Sequence, residues 1–160
     1  MANHLEQLIA EWYTYQGYFV WRNIKACALE RGGYHTEIDI LAFKPDTRRV
    51  VHIECSLDND SQSIRETRFG KKFRYGELEI RKRLSCMEPF SIDKMIVLLF
   101  TKRNEREEIA GVKVVHIADV IKEIACCFKN DKSDYYRLAV SEDLPVLRTL
   151  QLAITFKDEF

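Results

Sequence analysis

Glu37-Ile38-Asp39-Ile40-Leu41-Ala42-Phe43 and Val50-Val51-His52-Ile53-Glu54-Cys55-Ser56 are two apolar stretches with one acid near the centre of each, and six residues separate them. Both are rich in β-branched residues and read as strands. Lys44-Pro45-Asp46-Thr47 between them is a turn, because proline fixes φ. The pair is therefore a hairpin, with strands over 37–43 and 49–56. Side chains alternate along a strand. Glu37, Asp39 and Leu41 fall on one face, with Ile38, Ile40 and Ala42 opposite. His52, Glu54 and Ser56 share a face, with Val51, Ile53 and Cys55 behind them. Each strand thus pairs an apolar face with a face that carries an acid.

Acids at strand centres are disfavoured by propensity and by burial. Two on neighbouring strands also repel. Such a local cost is expected where a site is being built. Two carboxylates converging on one sheet can hold Mg²⁺ or Mn²⁺, which prefer oxygen ligands. Acids on a wet sheet edge give the same pattern, and spacing alone leaves both readings open.

Outward from the hairpin, Asn3 is placed to cap a first helix running to about Tyr15. Leu5, Leu8, Ile9 and Trp12 form its buried face, and Gly17 ends it. Tyr18 to Ile24 reads as a strand, and Gly32-Gly33 as a turn. After the hairpin comes a polar loop, Asp58-Asn59-Asp60-Ser61. A charged helix follows over about 62–84, open to a break at Gly70 or Gly76. Met95 to Phe100 is an apolar run inside a buried strand over 94–101. Residues 112–117 read as a short strand. Residues 118–128 read as a helix with Val120, Ile121, Ile124 and Cys127 inward. Residues 144–156 read as a helix, although Leu152, Ile154 and Phe156 also alternate as in a strand. This order predicts an α/β fold with a mixed sheet between helices.

The hairpin resembles the PD-(D/E)xK nuclease superfamily. There, an Asp at the end of one core strand is followed by (D/E)-x-K on the next. The string Glu37-Ile38-Asp39-Ile40-Leu41-Ala42 is similar to the G-E-I-D-L-I-A type string of small bacterial nuclease-like and Holliday-junction-resolvase-like proteins. Those proteins carry a glutamate in the first helix, upstream of a Gly-aromatic pair. Glu6 stands so relative to Gly17-Tyr18, with Glu11 as its rival. The resemblance covers roughly 5–84. It implies a restriction-endonuclease-like αβββαβ core over 1–130, with 131–160 as a C-terminal extension packing on it. It also implies a metal held by Asp39, Glu54 and the carbonyl of Cys55, with Glu6 reaching it directly or through water.

One position departs from the family: Ser56 stands where the lysine belongs. That lysine orients or activates the attacking water and stabilises charge on the phosphate, and a hydroxyl supplies no positive charge. Either Lys71 or Lys72 on the following helix replaces it, or metal and water suffice, or the site is dead. His52 shares the face of Glu54 and can serve as a ligand, a proton shuttle or a structural residue.

Charge is balanced over the 160 residues, with 25 basic and 25 acidic side chains. No global field draws the chain to a polyanion. Locally, 61–83 holds eight bases against the acids Glu66, Glu77 and Glu79. Arg65, Arg68, Lys71, Lys72 and Arg74 are the candidate phosphate contacts, interleaved with Phe69, Phe73 and Tyr75. A solvated helix face with ion pairs is the competing reading.

Five cysteines without a C-x-x-C pair argue against disulfides and zinc, and predict reduced, mostly buried thiols. MANHLEQLIAEW lacks the pattern of a signal peptide, and no apolar run is long enough for a membrane span. No phosphate-binding glycine loop and no G-x-S-x-G elbow occurs. The expectation is a cytoplasmic Mg²⁺- or Mn²⁺-dependent endonuclease acting on DNA, including branched or damaged DNA, as a homodimer. The alternative is a catalytically inactive module of the same fold that binds nucleic acid or a protein.

Overall fold

The computed structural model describes residues 3–99, 107–128 and 139–157. Asn3 accepts the backbone N–H of Leu5 at 3.0 Å and opens α1, His4–Tyr15. Gly17 turns the chain with φ of +84°. Strands β1 (Phe19–Ala28) and β2 (Tyr34–Lys44) follow, joined at Gly32 and Gly33, both with positive φ. Both strands run further toward this turn than the apolar pattern indicates. A short 3-10 turn at Pro45–Thr47 leads into β3 (Arg49–Ser56), whose bounds match the sequence reading.

Helix α2 spans Gln62–Arg83 without interruption. Neither Gly70 nor Gly76 breaks it. Phe69, Phe73, Gly76 and Ile80 repeat at helical spacing and face the sheet. Then come β4 (Ser91–Leu98), β5 (Glu108–Ile109), β6 (Val112–His116), α3 (Ile117–Cys127) and α4 (Pro145–Thr155). The last is helical despite the alternation at Leu152 and Ile154. Pro145 pre-sets its first turn.

The six strands form one mixed sheet in the order β1-β2-β3-β4-β6-β5. β1, β2 and β3 are antiparallel neighbours, β3, β4 and β6 are parallel, and β5 folds back on β6. Helix α2 is the crossover between the parallel strands β3 and β4. One face of the sheet packs under α1, α3 and α4, through Ile40, Ala42, Val51, Ile53, Cys55 and Val97. The other packs under α2, where Ile80 and Leu84 meet Leu41, Phe43 and Val50. Phe69 and Phe73 meet Ile96, Leu98 and Val114 there. Ile40, Leu41, Ile53, Ile96 and Leu98 are at most 1% exposed. Each contributes about 1.5–3 kcal/mol by leaving water.

Simple alternation fails at one point. Ile38 joins the α2-side cluster with Ile24 and Ala26 instead of following Ile40 to the other face. β1 is bent nearby, with φ of +55° at both Asn23 and Cys27. Cys27 turns its N–H away to the Glu79 carboxylate of α2, at 3.2 Å.

Two expectations about thiols are corrected. Only Cys55 is buried, while Cys86, Cys126 and Cys127 are exposed; all five are free. In α3 the inward residues are Val120 and Ile124, and Phe128 follows; Ile121 and Cys127 look outward. Among the described residues, no helix is long and apolar enough to cross a membrane.

Candidate active site

The ladder between β2 and β3 runs from Lys44↔Arg49 to Ile40↔Ile53 and stops there. β3 stays paired with β4 as far as Ser56↔Leu98. The two strands of the hairpin therefore part at the pair that carries the acids. A parted ladder leaves backbone groups to satisfy. The Cys55 N–H donates to Oδ2 of Asp39 at 2.9 Å, so a carboxylate takes the place of a ladder carbonyl.

Each acid has one oxygen engaged and one turned to a common point. Oδ2 of Asp39 holds the Cys55 amide. Oε1 of Glu54 lies 2.6 Å from Nε2 of His52. The remaining oxygens, Oδ1 of Asp39 and Oε2 of Glu54, both accept from the Lys72 ammonium, the first at 2.7 Å. Lys72 comes from α2, between Phe69 and Gly76 on the stripe that faces the sheet. Lys71, one residue earlier, is exposed. The structure thus separates the two lysines: Lys72 reaches the acids and Lys71 does not.

The site is largely dehydrated. Glu54 and His52 are 0% exposed and Asp39 is 8% exposed. Burial pushes the Asp39 carboxyl up to about 6; Glu54's charge adds to this and Lys72 opposes it. Burial also raises Glu54, beyond what the ammonium recovers. Burial alone would lower Lys72, but the charges of Glu54 and Asp39 hold it above its ordinary value. His52 is driven down to about 3, by burial first and by Lys72 second, and its ring is neutral. A neutral ring beside a carboxylate donates through Nε2–H.

Glu6 stands in the first turn of α1 and accepts from Nδ2 of Asn3 at 2.9 Å. Partial burial and the negative charge of Asp39 raise its carboxyl, against Asn3, Arg22 and Lys72. Glu6 is thus within the electrostatic reach of the acidic pair. Its rival Glu11 is not part of the site. It is buried, accepts Gln7 Nε2 at 2.6 Å, and accepts the Leu147 N–H at 2.7 Å in the first turn of α4. Its role is to tie α4 to α1.

The Cys55 thiol packs in the cluster beneath α1 and is held well above its ordinary pKa by burial, then by Asp39. It is a protonated core group, which leaves the backbone as the part of Cys55 open to ligation. Ser56 is buried, and its hydroxyl bonds to the Asp58 carboxylate and accepts Nη2 of Arg68 at 3.2 Å. It is a brace for the loop after β3.

The basic segment is only partly a surface. Arg65 is 1% exposed and donates to the carbonyl of Asp58 at 2.7 Å. This removes it from the candidate phosphate contacts. Arg68 is shared between Asp58 at 2.6 Å and Asp60 at 2.9 Å. Arg81 and Arg83 pair with Glu77 and Glu79 on their own helix. Arg74 is exposed and lies on the Tyr75 ring, 4.7 Å from its centroid. Tyr75 also stacks on His35 at 4.1 Å. Lys71, Arg74 and Lys82 are exposed on this helix, and Arg68 is half-buried.

The acids can be tested for fit to a divalent metal. Two carboxylate oxygens already converge on one cation, the Lys72 ammonium. That single charge against Asp39 and Glu54 leaves a net negative charge in a dry pocket, and Glu6 adds to it. Oxygen donors with excess negative charge suit a hard divalent ion. Among the described residues, no group of three or more His, Cys, Asp and Glu side chains is disposed to hold a metal. A magnesium-type site needs fewer, since that ion keeps several waters and takes one or two carboxylates. The donor set therefore fits Mg²⁺ or Mn²⁺.

No protein-family model matches the chain, and no curated protein matches it.

Proposed function

We propose that this protein is a metal-dependent endonuclease with a restriction-endonuclease-like core, hydrolysing DNA phosphodiester bonds. The observation that carries the reading is the meeting of Asp39, Glu54 and Lys72 where β2 and β3 part. Two carboxylates and one lysine are the group set of the PD-(D/E)xK site. The lysine comes from α2 because Ser56 occupies its usual strand position.

Asp39 and Glu54 would hold Mg²⁺ or Mn²⁺, with the Cys55 carbonyl as a further oxygen donor. The bound ion would polarise a phosphoryl oxygen and lower the pKa of a water. Lys72 keeps its proton in this pocket and offers positive charge to the phosphate on which charge develops. Glu6 would reach the ion directly or through water. Lys71, Arg74 and Arg68 contact phosphates along the strand and position it without reading its sequence. A cytoplasmic homodimer, cutting both strands of a duplex or a branched junction, belongs to the same reading.

The test is nicking of supercoiled plasmid and of a branched substrate with Mn²⁺ or Mg²⁺. Wild type should cut, and Asp39→Ala and Glu54→Ala should not. Cleavage that survives both substitutions refutes the assignment.

A second reading has one observation in its favour. The Ser56 hydroxyl is committed to Asp58 and Arg68, so the position that normally carries the lysine braces a loop. On that reading the chain is an inactive module of the same fold that binds nucleic acid or protein. It predicts DNA retention without cleavage, unchanged by Asp39→Ala.

A further inference from the structure

Glu54 turns one oxygen to the cation position, and the structure contains a device that holds the other. His52 lies two residues earlier on the same face of β3. Its Nε2 is 2.6 Å from Oε1 of Glu54, and both side chains are 0% exposed. A carboxylate has only acceptor oxygens, so the shared proton belongs to the imidazole in the Nε2–H tautomer. That fixes Glu54 about its last torsion and leaves Oε2 turned to Lys72. Nδ1 of His52 is buried and has no hydrogen-bond partner among the described residues. A core histidine kept for stability would be expected to satisfy both nitrogens. This one satisfies only the nitrogen that meets Glu54.

The ring is held from the other side by α2. Phe73 meets it edge-on, with centroids 4.7 Å apart and planes at 62°. Gly76 lies directly over it. A Cβ built at Gly76 would stand 2.2 Å from Cε1 and 2.9 Å from Nδ1. Helix interiors disfavour glycine by about 1 kcal/mol relative to alanine. Here the missing side chain is the space that the imidazole fills. The same helix supplies Lys72, one turn earlier.

We propose that His52 is a positioning residue for Glu54, presenting Oε2 to the divalent cation, and that Gly76 is glycine to admit its ring. The inference rests on the metal site proposed above. Outer groups that orient a metal ligand typically change affinity by about 10–100-fold when removed.

The test is Mn²⁺ affinity, measured by titration calorimetry and by the loss of the free-ion paramagnetic resonance signal. Glu54→Ala serves as the reference for a lost site. His52→Leu keeps bulk and loses the donor, and should bind Mn²⁺ about 10–100-fold more weakly than wild type. His52→Gln restores an N–H donor and should recover most of that loss. Gly76→Ala alters no donor but displaces the ring, and should behave like His52→Leu. Melting temperatures report folding separately. A merely structural role would lower them in the leucine and glutamine variants alike, without separating the two in metal affinity. If His52→Leu fails to fold, the comparison of His52→Gln with Gly76→Ala decides. Wild-type affinity in His52→Leu, or equal weakening in His52→Leu and His52→Gln, overturns the role of His52 while the metal site stands. Failure of wild type itself to bind Mn²⁺ overturns the metal site and this inference with it.

Discussion

Replacing Lys72 by methionine isolates the charge that joins the two acids. The stem is kept and the ammonium is lost. In the wild type burial pushes the Asp39 carboxyl up to about 6, from an ordinary value of 3.8. The folded protein therefore holds a proton that the unfolded chain releases between those values. Stability falls as pH rises through that window, by about 3 kcal/mol at most for roughly two pKa units. Lys72 has the opposite sense: its raised pKa stabilises the fold at every pH below its unfolded value, and so throughout the working range. Without it, Asp39 and Glu54 rise further and one of them stays protonated near neutrality. Breaking a buried pair costs about 3–5 kcal/mol, and that full cost applies at pH 8. At pH 5 Asp39 is already mostly protonated in the wild type, and the cost should shrink by about 1–3 kcal/mol. Urea unfolding at the two pH values reads the difference directly. Saturating Mn²⁺ at pH 8 should then restabilise the variant, by about 2.7 kcal/mol at a hundredfold excess over Kd. A destabilisation that is the same at pH 5 and pH 8 would refute the reasoning, because it would mean that Lys72 supports the fold by packing alone.

Glu11→Ala should cost about 1.5–3 kcal/mol, the worth of hydrogen bonds to a charged group, in urea unfolding, while leaving Mn²⁺ affinity as it is. Burial alone would raise Asp58, but Ser56, Arg68 and the Asp60 amide outweigh it and hold the carboxyl at about 2. Its contribution is present above pH 4 and lost as pH falls toward 2, so Asp58→Asn should cost about 1–2 kcal/mol at pH 7 and progressively less below pH 4. In DNA cleavage, Lys71→Ala should weaken binding and lower the salt dependence by about one counterion with kcat retained. Lys72→Ala should instead lower kcat, and equal effects from the two would contradict their placement.

The hairpin was legible because its chemistry is unusual. β3 matched residue for residue, since apolar alternation there coincides with pairing. The apolar pattern of β1 and β2 stops short of their turn. That end is mostly solvated, with Ala26 the one fully buried residue there, and a single small apolar residue among polar ones leaves little alternation to read. The choice between Lys71 and Lys72 was available in principle. Lys72 falls on the stripe set by Phe69, Phe73, Gly76 and Ile80, and Lys71 does not. The fates of Arg65 and Glu11 were not legible. Both are buried charges, and the partner of Glu11 is a backbone amide 136 residues away. The role of Gly76 was equally hidden, because the reason for it sits on another element. Within the sequence it reads only as a weak point in a helix.

The bends in β1 bear on how copies of this protein can meet. Among the described residues, β1 and β5 are the two outer strands of the sheet. An outer strand offers backbone groups to any passing chain, and long flat ones lead to runaway association. β5 is only two residues long. β1 is ten and keeps one register with β2 throughout, but Asn23 and Cys27 take positive φ and the Cys27 N–H is spent on Glu79. Backbone pairing along either border is thereby disfavoured, which leaves helical surfaces and side-chain fit as the readier route for copies of this protein to meet.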